Sequence, residues 1–337
     1  MHTKRYTKGG HTYSLRNIIT NLVFVCNLLL LFFFMKFPRE VLGASRDGLM
    51  LWFNNVLPAL LPFIIVVNIL GAMGIIETMS KFLKPFMHFV FRLPGEGGFA
   101  FVTGIISGYP MGAKAVADLW HKGKITTKEA QRLLAFCNNA GPLFIVGVVG
   151  VGLLNNSTAG YVLWAGHIIS AVTMGVVTRS RDIVIATQMK NSLIQTKSKK
   201  SGISHYGKVL GEAVKNAMEA LLLVGGLIIF FSVIVRVMLI VLGDIPFPGF
   251  FAGIIEVTGG VKLLADTVSG SISPFMIAVI GGIIGFGGFS VHAQALHFNA
   301  NTGIKAGLYI LHKILGGVIT AVVTWILWHL YLILIPN

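Results

Sequence analysis

The sequence predicts an all-α polytopic membrane protein. Its plan is two inverted-topology repeats, each with a re-entrant helical hairpin and an interrupted helix, preceded by one N-terminal transmembrane helix. Three observations carry this. Of 337 residues, 55% are hydrophobic and only 12% charged, whereas soluble domains carry about 25% charged residues, so lipid is the solvent for most of the chain. The apolar runs are long and continuous rather than alternating with period two, which selects helices over a barrel. A Gly-rich, charge-bearing segment in the first half also recurs in the second.

The net charge is +15, and its placement argues against nucleic acid as a partner. Lys4, Arg5, Lys8 and Arg16 precede the first apolar run, and Arg179, Arg181, Lys190, Lys197, Lys199, Lys200 and Lys208 fill one polar segment in the middle. Basic flanks of this kind fix topology through the positive-inside rule and attract anionic lipid secondarily. Residues 18–34 form an apolar run ending in Phe32-Phe33-Phe34-Met35-Lys36. That run is too long, and its end too bulky, for a cleaved signal. An uncleaved first helix with a cytoplasmic N-terminus is expected. Cys26 and Cys137 both lie in apolar segments, with neither disulfide nor metal-ligand spacing, so no cofactor is expected.

The repeat is the most informative feature. Gly104-Ile105-Ile106-Ser107-Gly108-Tyr109-Pro110-Met111-Gly112-Ala113-Lys114 leads to Asp118, and Gly253-Ile254-Ile255-Glu256-Val257-Thr258-Gly259-Gly260-Val261-Lys262 leads to Asp266. Each copy reads Gly-Ile-Ile, a Gly-containing break, then Lys and Asp four residues apart. The span beginning at Ala159 matches the one beginning at Ala306, with His167 set opposite His312. Gly104 to Gly253 and Ala159 to Ala306 are separations of 149 and 147 residues, so one duplication explains both matches.

Charge then orients the elements. The first helix leads to an outer loop over 36–47, and a helix broken around Pro58 and Pro62 returns to the cytoplasm. Residues 77–92 read as an amphipathic segment at the inner interface. Residues 97–119 are apolar but split by Gly108-Tyr109-Pro110. Each arm is too short for a crossing, which predicts a hairpin. Residues 131–154 and 159–178 cross outward and back. After the basic linker, the second half runs inverted: a crossing over 213–242, a hairpin over 249–267, and crossings over 274–298 and 303–335. This gives boundaries of 1–44 for the N-terminus and first helix, 45–179 for repeat one, 180–206 for a cytoplasmic linker and 207–337 for repeat two. Inverted repeats with interrupted helices are the pattern of secondary transporters.

Irregular backbone at membrane depth is tolerated where protein or a water-filled cavity satisfies it, so the breaks are the candidate sites. Asn138 and Asn139 precede Ala140-Gly141-Pro142, and the corresponding second-half region, Gly285 to Gln294, offers Ser290, His292 and Gln294. Isolated glycines there read as packing seams, and His292 alone reads as a structural histidine. The amides and hydroxyls together read as a substrate site with Ser107 and Tyr109. Lys114 and Lys262 are either substrate-binding cations or local partners of Asp118 and Asp266. Glu256 stands at the position of Ser107 as a candidate proton carrier; Asp118, Glu256 and Asp266 are the coupling candidates. No catalytic triad, zinc motif or phosphate loop occurs, so no enzyme is expected.

The segments 106–114, 136–145 and 285–294 resemble signature segments of the sporulation integral membrane protein YlbJ (SpoVV) family. That family belongs to the nucleoside-recognition or Gate group, similar to concentrative nucleoside transporters and to the membrane part of the ferrous-iron transporter FeoB. The resemblance covers roughly residues 45–330. It implies movement of dipicolinic acid, a small aromatic dicarboxylate, across the outer forespore membrane by alternating access. Relatives of this architecture suggest a homo-oligomer, and the acidic candidates named above suggest a proton or cation as coupling partner. The resemblance leads to an expectation of Thr, as in many relatives, where Asn139 stands. Alternatives are a nucleoside carrier of the same fold and a non-transporting membrane assembly factor for the spore envelope.

Overall fold

The computed structural model describes residues 15–180, 203–268 and 270–334; the lysines and arginine expected in the linker between 181 and 202 lie outside them. Every regular element among the described residues is helical. Among the described residues, four helices are long and apolar enough to cross a membrane, or five when the bent pair Thr20–Lys36 and Pro38–Val56 is one span. With the composition, this establishes an all-α polytopic membrane protein.

Helix α1 (Leu15–Lys36) presents Leu22, Phe24 and Phe32 outward, as a lipid-facing helix does. A bend of 103° follows. The expected loop over 36–47 is instead helical: α2 (Pro38–Leu51) begins directly after Phe37, with Pro38 at its first turn, where proline's missing N–H is no loss. A π-helical turn, Trp52–Val56, joins it to α3 (Leu57–Ala72). The expected break at Pro58 and Pro62 is thus corrected to a widened turn before Pro58. A proline ring clashes with the carbonyl four residues back, and one extra residue in the turn relieves the clash. The amphipathic α4 (Ile75–Phe86) exposes Phe82 beside Lys81 and Lys84, as an interfacial helix does.

The next elements are α5 (Gly97–Ile106), α6 (Met111–His121), α7 (Thr127–Cys137), the π-helical segment Leu143–Leu153, and α8 (Ser157–Val177). The second half holds α9 (Ile203–Leu242), α10 (Pro248–Ile255), α11 (Val257–Ala265), α12 (Pro274–Phe286), α13 (Gly288–Phe298) and α14 (Ala306–Leu334). Both halves thus share one order: a hairpin of two short helices, a broken helix, then a long helix. The first hairpin turns at Gly108, with φ of +79°, and the second helix breaks at Gly287, with φ of +93°; glycine adopts such angles without a Cβ penalty.

The corresponding long helices α8 and α14 run antiparallel. Gly166 packs on Thr324, while the Ser170 hydroxyl donates to the Gly316 carbonyl at 2.8 Å. The helices that flank the hairpins are also antiparallel. Asn68 on α3 donates to the Ala213 carbonyl, and Trp52 to the Leu221 carbonyl, each at 3.1 Å. Glu40 pairs with Arg236 beyond them. With 40 residues, α9 extends about 60 Å, roughly twice a bilayer's hydrocarbon core.

Arg132 on α7 fastens one end of the molecule by donating to the carbonyls of Thr178, Arg92 and Phe91. Asn299 ties the hairpin to the opposite half by donating to the Ala113 carbonyl at 3.0 Å. Thr126 and Glu129 form a reciprocal cap at the start of α7.

Candidate functional site

Each hairpin tip seats on the broken helix of its own half. A Cβ on Gly108 would lie 2.5 Å from the Gly141 nitrogen; one on Gly288 would lie 3.2 Å from the Val257 nitrogen. Both tips and the segments that follow both breaks then line a single cavity. Helices α3 and α9 form its remaining walls through Leu60, Phe63, Val224 and Ile228.

Most of the lining is apolar, with a few convergent polar groups: Asn55, Ser107, Tyr109, Glu256, Thr258, Ser290 and Gln294. The Ser107 and Ser290 hydroxyls, the Tyr109 hydroxyl and the Gln294 carbonyl oxygen are buried without a partner among the described residues. Buried polar atoms left unpaired are costly unless something else meets them, so four atoms of both halves are available to one bound molecule. Glu256 is 2% exposed and caps α11: its carboxylate accepts from the Thr258 N–H at 3.0 Å and the Gly259 N–H at 2.6 Å. The N-terminus of α11 is therefore already occupied by a protein carboxylate.

The remaining sequence candidates separate into two groups. Asn138, Asn139 and His292 are buried behind the first break, not at the cavity wall. Asn139 folds back on the Phe136 carbonyl at 2.6 Å, closing the end of α7. Asn138 donates to the Tyr309 hydroxyl at 2.9 Å, and that hydroxyl lies 3.2 Å from His292 Nδ1. Lys313, 4% exposed, donates to the Asn138 carbonyl at 2.9 Å. The Ala140 N–H donates to His167 Nε2 at 3.0 Å, which leaves the proton of neutral His167 on Nδ1. The expected match of His167 with His312 does not extend to environment: His167 is buried with its Nε2 on the Ala140 N–H, and His312 is half-buried. Tyr309, His167 and Lys313 form a polar network that sequence reasoning missed. A signal existed, since Lys313 is a lone charge inside an otherwise apolar span.

The second group is the pair of Lys–Asp motifs, which lie outside the central cavity on opposite sides of it. Lys114 and Asp118 pair at 3.0 Å and line a second cavity with Asn68, Lys122 and Asn216. Lys262 lines a third with Asp47, Ser232, Arg236 and Glu256. Lys262 and Asp266 are exposed and form no ion pair among the described residues.

Helix α9 orders the three cavities. Asn216 lines the second, Val224 and Ile228 the central one, and Ser232 to Leu239 the third. They therefore stack along one helix, with the Lys114 cavity toward one face and the Lys262 cavity toward the other. Asn55 and Glu256 line both the central and the Lys262 cavities. Toward Lys114, Ile64, Met111, Ala217 and Leu221 pack together, each no more than 2% exposed. This layer closes the central cavity on that side.

Comparison with known proteins agrees with this architecture. A family model described as Gate, nucleoside recognition, matches residues 53–156, which hold the first hairpin and the first broken helix. The sporulation integral membrane protein YlbJ of Bacillus subtilis (strain 168) is 34% identical over 325 residues, covering 86% of this chain and 78% of the relative. No solved structure matches the chain. Identity at this level over this share of both chains shows that the chain belongs to the sporulation integral membrane protein YlbJ family.

Proposed function

We propose that the protein is a secondary transporter of a small organic anion, dipicolinic acid, moved by alternating access through the cavity between the hairpin tips. The observation that carries the reading is the convergence of both tips and both breaks, far apart in sequence, on one cavity that shares Asn55 and Glu256 with the Lys262 vestibule and has a packed apolar layer toward Lys114. Polar atoms from both halves converge on this cavity, and half-helix tips around a central site are a recurring transporter plan. The antiparallel course of α8 and α14 supports two duplicated halves of opposite orientation. The positive-inside rule puts the face bearing Lys122, Lys124, Lys128 and Arg132 in the cytoplasm, and family membership supports the outer forespore membrane as the site of action.

A nucleoside-type carrier is the second reading. It is favoured by the cavity's hydrogen-bonding groups, none of them cationic, and by the family model's description. Proteoliposomes loaded in parallel with labelled dipicolinate and labelled uridine separate the two. Saturable dipicolinate flux, not displaced by uridine, is expected. Uridine flux without dipicolinate flux selects the second reading, and flux of neither leaves an assembly role.

A further inference from the structure

The central cavity has an unbalanced charge. Glu256 is the one charged residue among its described lining residues, so an organic anion entering it meets a like charge in a poorly screened site. The charged groups that share a cavity wall with Glu256 do not resolve the conflict. On the vestibule side they are Asp47 on α2, Arg236 on α9 and Lys262 on α11. Arg236 is already paired with Glu40, and Lys262 lies on the vestibule wall without lining the central cavity. From the first hairpin, the facing titratable group is the neutral Tyr109 hydroxyl. The Glu256 carboxylate also holds the N–H groups of Thr258 and Gly259, which would otherwise suit an anion.

Resting on the transport reading above, we propose that Glu256 is the coupling group: a proton from the Lys262 vestibule binds its carboxylate as the anion binds. Protonation removes the like charge. It also weakens the carboxyl as an acceptor, so that an N–H at the start of α11 turns to the substrate's carboxylate. The proton on a Glu256 oxygen and the anion on the released N–H then occupy the tip together and leave together on the other side. One proton accompanies each anion, and the position shared by both cavities gives that proton its entry path.

Calorimetry of dipicolinate binding to the purified full-length protein, in buffers of different ionisation enthalpy, counts the protons taken up. Wild type takes up about one proton per dipicolinate bound; binding with no proton uptake overturns the inference while leaving the transport reading standing. In E256Q the uptake falls at least tenfold, or binding is lost and E256D restores it together with the proton. Uptake unchanged in E256Q also overturns the inference. Should E256Q fail to fold, E256S places at this tip the residue type that the first hairpin carries at Ser107, with the same two outcomes. Absence of any dipicolinate binding or flux in wild type removes the transport reading, and the inference with it.

Discussion

Gly112→Val yields no folded protein. A Cβ at position 112 would lie 1.8 Å from the Cys137 carbonyl oxygen, and one on Gly104 meets the same atom at the same distance. Both arms of the first hairpin thus close on the end of α7 with only hydrogen atoms between. The atom in the way is backbone, already fixed by the helix break that follows, so neither partner can yield. The expected loss, roughly 4 kcal/mol or more, exceeds what a marginally stable fold tolerates. Size-exclusion chromatography of detergent extracts checks it: Gly112→Val and Gly104→Val lose the monodisperse peak. Gly147→Ala, where nothing lies within 4 Å of the added atom, keeps it.

The second large effect falls on flux with the fold intact. Ser290 is 1% exposed, lines the central cavity and has an unpaired hydroxyl. Ser290→Phe directs its ring into the central cavity. The protein is expected to elute and melt like wild type while dipicolinate flux falls at least tenfold, since the ring occupies the substrate's place. Unchanged flux would move the substrate path away from this cavity.

The hairpins and breaks were legible in the sequence because their signals are local. Gly108-Tyr109-Pro110, Ala140-Gly141-Pro142 and Gly287-Gly288 each interrupt an apolar run, and no tertiary knowledge is needed to see that. Ser107, Tyr109, Ser290 and Gln294 follow from those breaks, and the structure gathers them at one cavity. The direction of Lys114 and Lys262 was not legible. A Lys and an Asp four residues apart share a helix face, but only the packing of the hairpin decides which cavity that face meets. The packing turns them into flanking vestibules. Asn138 and Asn139 sit at the right break but point behind it, toward Tyr309 and the α7 terminus, because His167 and Lys313 come from helices distant in sequence. The helix over 38–51 was hidden for another reason: its charged residues resemble a loop until Glu40 and Arg236 are seen to pair. Glu256 was recognised by its place in the repeat, whereas its role as a cap depends on an extended backbone at φ −139° and ψ 115°.

The central claim is that one cavity between the hairpin tips communicates with one membrane face and is sealed from the other. Cysteine accessibility in oriented vesicles tests it most directly, with the lipid-facing Cys26 replaced by alanine. Asn55→Cys lies where the central cavity meets the Lys262 vestibule, and Asn68→Cys lies beyond the Ile64, Met111 and Leu221 layer. A membrane-impermeant thiol reagent is predicted to modify Asn55→Cys only from the Lys262 face and Asn68→Cys only from the Lys114 face, with dipicolinate protecting the former. Equal modification of Asn55→Cys from both faces, or modification of both cysteines from the same face, would contradict the account.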